Sequence, residues 1–480
     1  MIKRLSFSIL LLCLFTSTVF GQQRQDQRRS SAYQALLMRT DRPHAYFDHI
    51  SFPASDNSSQ FAFLFRLDYD SVPFMKTNSN VEAPDPDAEY YGPVQIGLEV
   101  YEGPASRSRR SSDMPTSIFR DSWQDTLWAD TYERTKSRTD YVQGMMSTNL
   151  DAGQYHYELQ LPQQNIPAAS GNRSSRGMSG DIPTPRRNVT VAGADDAQEP
   201  DFILLKSVNP GDATFAATFL NYGDNVLYGQ DFSVLVRIPS DEASNSLSLN
   251  LYRLTGGANA DAEQLRHSVE ITSENIAQLS NFNLTNSNNE IGFEADISDE
   301  GSTYAYVEIP NNNFENSMYK LTLENSGTDE AIGEKRIRSQ WLDMPVSLYN
   351  LDVAIDMLRF IVSDEKLNEL NSGSDTARER KFREFWAQRD PTKGTEFNEL
   401  MTEYYNRIDY SYNEFSSLQV PGFNTDQGRT YILYGPPDEV ERRMPTNAPT
   451  REIWEYPNKT LIFEATTGFG DFKLISEEQS

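Results

Sequence analysis

Apolar and polar residues alternate with period two along most of the chain, and the period changes to 3.6 near residue 345. The run Phe61-Ala62-Phe63-Leu64-Phe65-Arg66-Leu67-Asp68-Tyr69 is the first strong predicted strand, followed by 94–101 and 155–161. Residues 118–132, which carry Phe119, Trp123, Leu127 and Trp128, read as two strands or one long bent strand. Val189-Thr190-Val191 and Phe202-Ile203-Leu204-Leu205 close this first series. A second runs through 213–220, 232–238, 247–254, 304–309 and 318–323, with the polar stretch 273–290 read as loops. Short strands with turn signals at this spacing predict two antiparallel β-sandwiches, at 31–210 and 211–340.

Beyond 341 the pattern predicts an α+β module. Leu351, Ala354, Met357, Leu358 and Ile361 share one helical face, and a second helix over 376–388 buries Phe382, Phe385 and Trp386 before Pro391. A third starts after Thr395 as N-cap, with Phe397, Leu400, Met401, Tyr404, Tyr405, Ile408, Tyr412 and Phe415 at spacings of 3 and 4. Predicted strands at 430–434, 451–456, 460–464 and 471–475 then form an antiparallel meander on these helices.

Composition adds an address. Lys3 and Arg4 precede an almost wholly apolar run over 5–20, and Val19-Phe20-Gly21 offers a cleavage point, so 1–21 reads as an export signal. The sole cysteine, Cys13, lies inside that run after Leu12, which argues against lipidation. The mature chain then lacks cysteine, excluding disulfides, thiol catalysis and Cys-ligated metal. Losing Lys3 and Arg4 from 43 basic residues leaves 41 against 70 acidic, a charge of −29 that repels nucleic acid and anionic lipid. No later run is long and apolar enough to span a membrane. Segment 162–188 is locally basic, with Arg173, Arg176, Arg186 and Arg187 against Asp181, and reads as a solvated loop or as a contact for an acidic partner.

The C-terminal motifs carry a family likeness. Pro421-Gly422-Phe423-Asn424-Thr425-Asp426-Gln427-Gly428-Arg429 is flanked by Phe385-Trp386-Ala387-Gln388-Arg389-Asp390-Pro391-Thr392, by Tyr434-Gly435-Pro436-Pro437-Asp438-Glu439 and by Glu452-Ile453-Trp454-Glu455-Tyr456. Over about 350–476 the chain resembles the GWxTD domain of bacterial envelope and secreted proteins, with Phe423 in place of the name-giving Trp. The resemblance implies an exported protein in which immunoglobulin-like sandwiches precede the module. It implies no reaction, because the family's molecular function is unassigned.

Candidate chemistry is sparse. His44, His49, His156 and His267 show no ligand spacing, and no P-loop, nucleophile elbow or dinucleotide fingerprint occurs, so neither metal nor cofactor is expected. Asp390, Asp426, Asp438, Glu439 and Glu441 are the carboxylates a glycosidase-like pair could use. Turn aspartates more often accept backbone N–H bonds, and Arg389 and Arg429 stand ready to pair with Asp390 and Asp426. Trp386, Phe423, Trp454 and Tyr456 form either core or an aromatic groove. The reading is a non-catalytic envelope scaffold whose C-terminal module docks an envelope protein. The alternative is a carbohydrate-binding or carbohydrate-processing factor, with glycan contact through C-terminal carboxylates or through Trp123 and Trp128.

Overall fold

The structure is a computed structural model that describes residues 32, 33, 35, 36 and 45–479, except 56, 79–80, 82, 106–115, 138, 161–186, 193–199, 256–261, 329, 418–419 and 466–471. The segment 1–21 expected as an export signal, Cys13, His44 and nearly all of the Arg-rich segment lie outside the described residues. The chain is β-rich, with several antiparallel sheets and a few C-terminal helices. It divides into two compact units, 42–343 and 344–480, the second joined by the described residues 32, 33, 35 and 36.

In the first unit, strands Ala45–Ser55, Ser58–Asp68 and Tyr141–Asp151 form a three-stranded sheet buried on both faces. That is why 61–65 is continuously apolar: Phe61, Phe63 and Phe65 pack against the sheet built on Tyr90–Glu102, while Ala62 and Leu64 face the opposite way. On that opposite side, six strands close on themselves: Phe202–Pro210, Thr214–Phe219, Glu290–Ile297, Ile276–Ser287, Ser302–Ile309 and Phe232–Arg237. A five-stranded sheet that includes Leu247–Thr255, Met318–Asn325 and Glu330–Gln340 shares a further core with the closed sheet. Side chains of Phe202–Pro210 serve two cores, Ile203 and Leu205 in one and Phe202 and Leu204 in the other.

One strand corrects the sequence reading here. Residues 276–287, expected as loop, form a ladder with two neighbours. A bulge between Ser280 and Asn283, with Asn281 at φ 51°, shifts the inward residues from Leu279 to Phe282 and Leu284, so strict alternation is lost. The segment 118–132 resolves as a single strand, Ser117–Ala129.

Among the described residues of 344–480 there are five α-helices: α1 Leu351–Met357, α2 Asp364–Leu370, α3 Asp375–Ala387, α4 Glu399–Phe415 and α5 Asp426–Tyr434. A four-stranded antiparallel sheet follows: β1 Glu439–Arg443, β2 Arg451–Tyr456, β3 Lys459–Ala465 and β4 Phe472–Gln479. Three expectations change. The first expected helix breaks at Leu358–Phe360, and Ser363 caps a new one. The N-cap of α4 is Asn398, whose Oδ1 accepts from Met401 N, whereas the Thr395 hydroxyl donates to Thr392 O and Phe397 O. Residues 430–434, expected as a strand, are the end of α5. Thr425 caps that helix, Asp426 favours its first turn, and Gly435 at φ 81° ends it.

Candidate functional site

The segment Gly422–Asp426 is a short 3₁₀ turn feeding a helix, and each residue in it has a packing task. A Cβ added to Gly422 would lie 1.8 Å from the Ser411 carbonyl oxygen, so only glycine lets the turn touch the backbone of α4. Phe423 is fully buried. Thr425 Oγ1 accepts from Gly428 N at 3.0 Å and donates to Gly422 O at 2.7 Å. Gly428 in turn sits under the Gly422 carbonyl, where a Cβ would meet the oxygen at 1.8 Å. Asp426 Oδ2 accepts from Leu474 N at 3.0 Å, on the edge strand β4 beside its bulge. The turn therefore ties α4, α5 and the sheet edge together.

The flanking motif residues have similar employment. Asp390 Oδ1 accepts from Thr392 N at 2.9 Å, an Asx turn. Arg389 donates to Phe385 O at 2.8 Å, with its guanidinium 3.7 Å from the Phe385 ring centre. Arg429 is exposed, and no Asp–Arg ion pair joins Arg389 or Arg429 to Asp390 or Asp426 among the described residues. Tyr456 Oη donates to Gly435 O at 3.0 Å, and Asp438 N donates to Glu455 O at 2.7 Å across the Gly435-Pro436-Pro437-Asp438 turn. Trp386 and Phe423 belong to the helical core, and Trp454 and Tyr456 to the core between helices and sheet, so the four rings form two interiors and no common groove.

Two features escaped the sequence reading. The first is Tyr33. It is fully buried in the helical core, donates to Asp409 Oδ1 at 2.5 Å, and packs against Tyr412 at 4.5 Å and edge-on to Phe423 at 5.8 Å. Burial, with the Asp409 charge beside it, raises its phenol pKa far above the usual value. Nothing in an isolated tyrosine over 300 residues away signals this contact. The second is a cluster in the first unit where Asp48, His49, Asp201 and Lys335 line a small cavity. Burial holds His49 neutral, pushing its pKa down to about 4, and raises those of Asp48 and Asp201.

Among the described residues no group of three or more His, Cys, Asp or Glu could hold a metal ion, and no helix is long and apolar enough to cross a membrane.

A helical layer on an antiparallel sheet, knitted by a Gly-aromatic-x-Thr-Asp turn, defines an α+β module. Residues 344–474 match the family model of the GWxTD domain, and the chain carries that domain at its C-terminal end. No curated protein matches the chain.

Proposed function

We propose that the chain is an exported, non-catalytic protein of the cell envelope whose GWxTD domain docks a protein partner. In this reading the strand layers of 42–343 act as immunoglobulin-like spacer or adhesion modules. The N-terminal Lys3-Arg4 and the apolar run after them support export. Engagement of Asp390 and Asp426 by backbone N–H groups supports a non-catalytic role.

The observation that carries docking is an aromatic stripe on the GWxTD domain. Tyr410, 44% exposed, stacks on Tyr431 at 4.3 Å and 18°. Phe415 continues it, 5.9 Å from Tyr431 and 5.5 Å from Trp454. Val440, the cross-strand neighbour of Trp454, is 52% exposed at the sheet edge. Exposed aromatic and aliphatic side chains mark interaction sites, and rigid aromatics anchor them at low entropic cost.

The test uses the mature full-length chain and its Tyr410→Glu/Val440→Glu variant as baits for gently solubilised native envelope. A partner held by the first and lost by the second, with circular dichroism unchanged, is the expected result. Equal capture by both, or capture by neither, overturns the docking reading.

A further inference from the structure

A basin of about 660 Å³ opens at one end of the closed six-stranded sheet in the first unit. The chain turns at Pro210-Gly211, enters a strand at Ile276 and leaves one at Ile297, all at this end. Its floor is the half-buried ring of Tyr306, backed by the fully buried Phe215, which meets it edge to face at 5.5 Å. The Tyr306 hydroxyl donates to Glu274 O at 2.7 Å, which fixes the ring beneath the opening. The rim offers the carboxylates of Glu274 and Asp299, the amide of Gln278 and the hydroxyl of Ser298, and among the described residues none that lines it is basic.

The volume falls in the range of small-molecule sites, about 300–1,000 Å³, and the mouth of a closed sheet is a common place for them. An aromatic floor suits the apolar face of a ring. Carboxylates, an amide and a hydroxyl around it can accept from and donate to several hydroxyls at once. The absence of a cation among the lining residues, with two carboxylates present, disfavours an anionic ligand. We propose that this basin binds a neutral sugar, with the ring over Tyr306 and its hydroxyls on Glu274, Asp299 and Gln278. The site lies in 42–343 and does not depend on docking by the GWxTD domain.

The test is saturation-transfer NMR on the mature full-length chain with cellobiose and with cellobiouronic acid, which differs by one carboxylate. Cellobiose should bind in roughly the millimolar range expected of a small open site. The uronic acid should bind about tenfold more weakly, from repulsion by the two rim carboxylates. Ser298→Arg, which fills part of the basin and adds a cation, should weaken cellobiose and reverse the preference. The Glu274→Gln/Asp299→Asn double variant, which keeps the shape, should bring the two ligands to within about twofold of each other. Equal binding of both ligands to the natural chain, absence of cellobiose binding, or a preference unchanged in both variants would overturn the proposal.

Discussion

Tyr33 offers the sharpest test of how the C-terminal unit is held together. Its ring fills a site lined by Tyr412 and Phe423, and its hydroxyl bonds the Oδ1 of Asp409. Asp409 Oδ2 also accepts from Val346 N at 2.6 Å, so one carboxylate joins the N-terminal tyrosine, the entry to the helical layer and α4. Tyr33→Phe keeps the packing and deletes the bond. A hydrogen bond to a charged group is worth about 1.5–3 kcal/mol, and this variant should lose an amount of that order. Tyr33→Ala also opens a cavity between aromatic rings, and large aromatic truncations cost about 3–5 kcal/mol.

The assay must see the second unit alone, because 42–343 can mask its unfolding. Hydrogen exchange with mass spectrometry does this in the intact chain by following peptides from α4. At about 1.4 kcal/mol per decade, Tyr33→Ala should accelerate the slowest α4 amides roughly 10²- to 4 × 10³-fold, and Tyr33→Phe about 10- to 100-fold. Peptides from Phe232–Arg237, in the other unit, should be unchanged. If α4 exchange in Tyr33→Ala stays within about twofold of the natural chain, Tyr33 is not a core residue and the account is wrong.

Four further outcomes are expected. Gly422→Ala drives a Cβ into the Ser411 carbonyl and should cost about 3 kcal/mol or more, read as a fall in the α4 exchange barrier. Phe423→Trp adds volume where Tyr33 and Tyr412 already sit, so it should destabilise by about 1–3 kcal/mol in urea unfolding. Asp426→Ala removes the acceptor of Leu474 N and should speed exchange of β4 by about tenfold while leaving α1 unaffected, which an active-site role alone would not produce. His49 is neutral when buried but titrates near 6.5 when unfolded, so it should draw stability down as pH falls from about 6.5 to about 4. Asp48 and Asp201, whose pKa values are raised, oppose that trend, with Asp224, Lys335 and Arg187 completing the surrounding charges. Urea midpoints of His49→Gln and the natural chain should therefore converge across this window, and parallel curves would refute the assignment.

Legibility in the sequence followed local physics. Runs such as 61–65 and 232–238 announced strands because burial on two faces keeps them apolar, and α4 was plain because one stripe recurs every three or four residues. Strands with an exposed face were missed: Ala262–Ile271 and Glu330–Gln340 carry alternating charge with little apolar content, and Glu439–Arg443 is exposed throughout. The strand at 276–287 was hidden by its bulge. Residues 430–434 read as a strand because Thr-Tyr-Ile-Leu-Tyr has strand-like composition. The Thr425 cap five residues upstream decided otherwise. The turn role of Asp390 was legible from the Asp-Pro-Thr sequence, whereas Leu474 as the partner of Asp426 was not, because that contact spans 48 positions.

The motif that identifies the C-terminal domain is thus a poor guide to where it acts. Gly422 is fixed by a backbone approach, Phe423 by core volume, Thr425 by capping and Asp426 by an edge strand, and all four tasks are internal to the fold. Chemistry at a partner or ligand needs groups that the fold leaves over. Under the docking and sugar-binding proposals those groups are Tyr410 and Val440 in this domain, which lie outside the motif, and in the first unit Glu274 and Asp299 on the rim of the basin. If the domain docks a partner as proposed, its choice of partner should follow Tyr410 and Val440, which the fold leaves exposed, and not the motif that packs the scaffold.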